Sequence, residues 1–70
     1  MQNFYELQQL LKKFGTIIYV GDRLGDLELM EMEIRELYQA KIIEPVVFQQ
    51  AILLLRKEME KERKNHESND

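Results

Sequence analysis

Seventy residues with no cysteine and a formal net charge of −3 exclude disulfides, thiolate zinc sites and a cysteine nucleophile, and argue against a general electrostatic grip on nucleic acid. A chain this short is one small domain with a narrow stability margin; its apolar share of 44% sets it apart from disordered chains and supports a packed core. The opening residues lack the basic start and apolar run of a secretory signal, and no segment approaches the ~18 apolar residues of a membrane span, so a cytoplasmic protein without membrane attachment is expected.

Asn3, Phe4, Tyr5 and Glu6 open the chain like a capping box, with Asn3 accepting from early helix amides and Glu6 reaching back to the cap. Leu7, Leu10, Leu11 and Phe14 then recur at steps of three and four, Lys12 and Lys13 sit where the helix dipole favours cations, and Gly15 suits a left-handed C-terminal position. The spacing predicts a first helix over residues 3–14.

The stretch GTIIYVGDRLGD, residues 15–26, mixes β-branched residues, glycines and aspartates. It lacks the Gly-Lys-Ser/Thr ending of a phosphate loop, the GxGxxG spacing of a dinucleotide fingerprint and the alternating oxygen ligands of an EF-hand. As a strand it has no partner elsewhere in the chain. Residues 15–21 are read instead as an extended connector, with Thr16 to Val20 carrying apolar side chains across the bundle, and Asp22, Asp26, Glu28 and Glu31 as caps and a solvated acidic face.

Leu24, Leu27, Met30, Ile34, Leu37 and Tyr38 fall on one arc at about 100° per residue, which predicts a second helix over 22–40 with Asp22 as its cap and Asp26 as the rival start. Pro45 suits the first position of a third helix, and Val47, Phe48, Ala51, Ile52, Leu54, Leu55 and Met59 give it an apolar face wide enough for two neighbours. This helix is expected over 45–64, about 30 Å against ~18 Å for the first, so its end overhangs a monomeric bundle and either frays or is covered by a partner. Residues 65–70 read as a disordered charged tail after a single domain of residues 1–64. The whole is an all-α, small three-helix bundle.

Chemistry-bearing combinations are scarce. No serine precedes Ser68, the lone His66 is in the tail, and a water-excluding cleft around paired carboxylates is hard to build at this size. No enzyme, metal or cofactor is expected. Phe14, Tyr38 and Phe48 follow core spacing and are read as buried; Phe4, Tyr5 and Tyr19 are read as partly packed across helix ends. Leu29 and Met32 on the second helix, and Leu53 on the third, lie off the apolar faces and form a candidate contact patch for an unknown protein partner or another copy of the chain. A second candidate is single-stranded nucleic acid, with Tyr5 and Tyr19 stacking on bases and Lys12, Lys13, Arg23 and Arg35 meeting phosphates. Against it, residues 22–44 hold seven acids and three bases.

With NFYELQQLLKKFG at the start, then GTIIYVGDRLGDLELMEMEIRELY and FQQAILLLRKE, the chain resembles the YqgQ-like family of short bacterial proteins of unknown function, over nearly its whole length to about Lys64. The resemblance implies a small three-helix bundle. Single-stranded nucleic-acid binding is the suggestion that accompanies the family through likeness of fold, and no catalytic or binding motif comes with it.

Overall fold

The computed structural model describes residues 1–16 and 18–68, and within them three helices: α1 (Phe4–Lys13), α2 (Arg23–Gln39) and α3 (Pro45–Ser68). The all-α bundle expected from the sequence is the observed fold. Helix α3 packs against both others and most extensively against α2. At 24 residues it is about 36 Å long and dictates the 42 Å long axis of a body only 22 × 19 Å across. It runs to Ser68, four residues past its expected end. Ile17 of the connector and Asn69 and Asp70 of the expected tail lie outside the described residues, as does the side chain of His66.

Helix ends explain most of the boundaries. Asn3 caps α1 through its side-chain oxygen, which accepts from the Glu6 amide at 2.9 Å. Glu6 reaches one residue further back than a capping box requires, accepting from the Gln2 amide at 3.1 Å. At the other end the Gly15 amide donates to Lys12 and the Thr16 amide to Leu11, both at 2.9 Å, the pair of bonds that closes a helix when the residue after the cap is left-handed. Gly15 takes that conformation at φ 80, as its sequence position predicts.

Helix α2 ends in the same way with a less suitable residue. The Lys41 amide donates to Tyr38 and that of Ile42 to Leu37, which puts Lys41 at φ 62, the one non-glycine with positive φ among the described residues. A left-handed side-chain-bearing residue costs roughly 1–2 kcal/mol. Lys41→Gly should therefore stabilise the protein by about 1 kcal/mol after its own entropy loss, seen as a melting temperature raised by about 4–8 °C in a domain of this size.

The core draws Leu7 and Leu11 from α1, Leu27, Met30, Ile34 and Leu37 from α2, Ala51, Leu55 and Met59 from α3, and Ile43 from the α2–α3 turn. Three expectations about side chains need correction. Phe14 and Tyr38 are exposed and Phe48 is only half-buried. Phe14 is the C-cap of α1, where the chain leaves the helical path. Tyr38 lies at the flank of the α2 arc and stacks on Phe48 instead, ring centroids 4.2 Å apart. The second correction concerns Tyr5 and Tyr19, which are not packed across helix ends but exposed, whereas Phe4 is half-buried beneath the Arg23 guanidinium, 4.8 Å from its ring centroid. The third concerns the connector: Ile18 packs against the core, while Tyr19 and Val20 face outward.

Candidate interaction face

The α2–α3 pair carries one flank on which charge and apolar surface meet. Glu31 is at its centre. Its carboxylate accepts from the Arg56 Nε at 3.0 Å across the helix pair and from the Arg35 Nε at 3.1 Å one turn along α2. The side chain of Glu31 is 17% exposed, those of its two arginines 47% and 58%, so the carboxylate is held under the guanidiniums. Hydrogen bonding from Arg56 foremost, with further help from Arg35, keeps the Glu31 carboxyl below its ordinary range against the opposing effect of burial.

That direction fixes the sign of a pH effect. A carboxyl whose pKa is lowered on folding adds stability that is fully present above its unfolded value, about 4.3 for glutamate, and is lost as pH falls through the folded value. Glu31→Gln should accordingly be less stable than wild type near neutrality, with the gap closing as acid protonates Glu31. Urea unfolding of both proteins at about pH 7 and about pH 3 measures the closure and cancels most contributions from the other carboxylates.

Two depressions adjoin this cluster. One is a shallow groove of about 340 Å³ lined by Arg35, Phe48, Gln49, Ile52 and Leu53. Its floor is apolar, and Arg35 reaches over Phe48 with its guanidinium carbon 5.8 Å from the ring centroid. The other lies on the opposite side of Glu31 and is bordered by Glu28, Met32, Met59 and Arg63 together with Glu31 and Arg56. Of the three apolar residues singled out in the sequence, Met32 (58% exposed) and Leu53 (70%) therefore flank one charged cluster. Leu29 is less exposed, at 38%, and lines neither depression.

The residues considered for nucleic acid are dispersed. Lys12 borders a separate groove of about 350 Å³ with Gln8, Gln9, Thr16 and Ile18, floored by Leu11 and Met30. Tyr5 and Lys12, seven residues apart, share a face of α1. Lys13 is exposed on the next position round. Arg23 lies 3.7 Å from Glu58 and over Phe4, and Arg35 is paired with Glu31, so both arginines already have anionic partners. Glu31, Arg56, Phe48 and Ile52 were not singled out by sequence as site residues. The half-burial of Phe48 and Ile52 has a readable source, because both lie toward one edge of the wide α3 face.

The aspartates of GDRLGD have structural partners. Asp22 caps α2 by accepting from the Gly25 amide at 2.9 Å, and Asp26 is not a rival cap but a buried acceptor for the Val20 amide at 2.7 Å. Among the described residues no three metal-binding side chains gather, and no helix is long and apolar enough to cross a membrane.

The sequence profile of the YqgQ-like family matches residues 1–61. The chain belongs to the YqgQ-like family. Over 60 residues it is 48% identical to the "Uncharacterized protein YqgQ" of Bacillus subtilis (strain 168), covering 86% of this chain and 84% of that protein. The YqgQ-like match takes in all three helices and both sides of the Glu31 cluster, and it ends at Lys61, about two turns before the end of α3.

Proposed function

We propose that this YqgQ-like chain is a non-enzymatic helical module that binds another protein through the flank of α2 and α3 marked by Met32 and Leu53. The observation that carries the reading is the groove of Arg35, Phe48, Gln49, Ile52 and Leu53, an apolar recess beside paired guanidiniums on a chain too small to hide all its apolar surface. Such a combination matches the anatomy of protein contacts, in which aromatic, Met and Arg side chains are enriched and a polar rim surrounds an apolar centre. The non-enzymatic part draws on the work already given to the carboxylates: Asp22 caps, Asp26 holds the connector and Glu31 ties α2 to α3.

Affinity capture from cell extract tests it with three baits: wild type, Leu53→Glu and Tyr5→Ala. A protein retained by wild type and by Tyr5→Ala but lost with Leu53→Glu is the expected result. Recovery of no such protein would remove the reading.

A second reading, single-stranded nucleic-acid binding at the α1 groove, is favoured by one arrangement: exposed Tyr5 and Lys12 on one helix face, with exposed Tyr19 just beyond Ile18 of the groove wall. Rings of this kind stack on bases while the ammonium meets phosphate. Fluorescence anisotropy of labelled oligonucleotides at low salt, with Tyr5→Ala and Lys12→Ala as controls, would show a strongly salt-dependent signal that both substitutions weaken.

A further inference from the structure

We infer that α1 is a strap: it lifts as a unit from an α2–α3 pair that stays folded, and in doing so it opens and closes the groove it shares with Ile18 and Met30.

The helices are tied unequally. Helix α1 is 10 residues long, short of the ~12–15 at which an isolated helix begins to hold in water, so its helicity depends on docking. It contributes Leu7 and Leu11 to the buried core, with Phe4 and Leu10 packed at the margin, whereas the rest of that core belongs to α2, α3 and the turn between them. Helices of 17 and 24 residues meet there. They are joined further by contacts that do not involve α1: the Arg56 bond to Glu31 at 3.0 Å and the stack of Tyr38 on Phe48 at 4.2 Å. Ties on the α1 side include the Met1 amine on Gln50 at 3.2 Å and the Arg23 guanidinium over Phe4 at 4.8 Å. Arg23 also has Glu58 of α3 at 3.7 Å, so lifting α1 leaves that guanidinium with its carboxylate.

The connector lets α1 move alone. Asp26 holds Val20 to the first turn of α2, which fixes the far end of the connector whether α1 is docked or not. The near end begins at Gly15, at φ 80, a residue to which either sign of φ is open. The two faces of the molecule then differ in their dependence on α1. The groove of Gln8, Gln9, Leu11 and Lys12 with Ile18 and Met30 exists only while α1 is docked. The groove of Arg35, Phe48, Ile52 and Leu53, like the depression beside Met32, contains no α1 residue and persists in both states. A ligand in the first groove would hold the strap down, and one on the α2–α3 flank would leave it free.

Native-state hydrogen exchange of the full chain, followed amide by amide in low urea, tests this. The amides from Gln8 to Lys13 should share one opening free energy and exchange at least about tenfold faster than the slowest amides of α2 and α3. They should also respond less to urea, because less surface is exposed when only α1 lifts. Two substitutions separate the strap from ordinary instability. Leu7→Ala weakens only the docked state, so it should accelerate the α1 amides and the slowest α2 and α3 amides alike, by roughly 100-fold. Glu31→Gln weakens a bond present in both the docked and the lifted forms. It should accelerate the slowest α2 and α3 amides roughly fivefold and leave α1 unchanged.

Helix α1 amides that match those of α2 and α3 in free energy and urea dependence would overturn the inference, because the chain would then open only as a whole. Graded values along α1, the mark of fraying from its ends, would overturn it as well, and so would an equal response of all three helices to Glu31→Gln.

Discussion

Leu55→Ala should remove about 3 kcal/mol of folding stability, while Leu53→Ala, two positions earlier on the same helix, should change it by less than about 0.5 kcal/mol. Leu55 is fully buried and Leu53 is 70% exposed. Truncating the first leaves a cavity where α3 meets its neighbours, in addition to the lost transfer of its methyl groups from water, whereas the second already faces solvent. For 70 residues the total stability expected is only about 4–10 kcal/mol, so the Leu55 variant would forfeit roughly a third or more of it. Urea unfolding followed by helical circular dichroism measures both. Equal losses would mean that α3 is rotated about its axis from the arrangement described here.

The contrast also shows what hydropathy can and cannot convey. In AILLLR five consecutive apolar residues offer no local distinction between inside and outside. The distinction comes from the step of four that links Ala51, Leu55 and Met59, all buried, and leaves Leu53 on the far side. Helix boundaries were legible for a similar reason: Asn3, Gly15, Asp22 and Pro45 act on the backbone within a few residues of themselves, and each stands where its own chemistry requires. Lys41 and the end of α3, four residues beyond Lys64, are the exceptions. Nothing in a lysine signals a left-handed residue, and the bonds at Lys41 and Ile42 close the helix nonetheless.

The interaction face was legible only in part. Met32 and Leu53 can be read as off-face residues from angular position alone. That they border one cluster depends on the bond between Glu31 and Arg56, which are 25 residues apart. No periodicity within a single helix specifies how two helices are registered against each other; the register follows from how their side chains pack. For the same reason the Glu58 partner of Arg23 is not readable from sequence, whereas the Glu31 partner of Arg35, four residues back on α2, follows from spacing alone. Aromatic exposure was the least legible. Phe14 and Tyr38 keep core spacing to the end of their arcs, but the first falls where the helix stops and the second at the rim of the packed surface.

Asp26 is where the second large effect is expected. The residue is 7% exposed, and its carboxylate accepts from the Val20 amide at 2.7 Å, pinning the outgoing connector to the first turn of α2. The Asp26 amide in turn donates to the Asp22 carbonyl at 2.9 Å, and the Asp22 side chain accepts from Gly25. Gly25 is needed for the closeness of this arrangement: a Cβ there would meet Asp22 Oδ2 at 3.0 Å and Val20 Cγ2 at 3.4 Å. Asp26→Ala strands the Val20 amide and opens a void, at a cost of about 2 kcal/mol; Asp22→Ala, which loses a solvent-facing cap, should cost about 1 kcal/mol. Asp26→Asn retains a carbonyl oxygen that can face the amide, so it should fall between Asp26→Ala and wild type. Because the two aspartates brace the same turn, the Asp22→Ala, Asp26→Ala double variant should lose less than the sum of the singles. Hydrogen exchange at the Val20 amide separates this from a general loss of stability: it should accelerate more in Asp26→Ala than in Leu55→Ala when the two are compared at equal global stability. Equal acceleration would mean that the aspartate does not hold the connector.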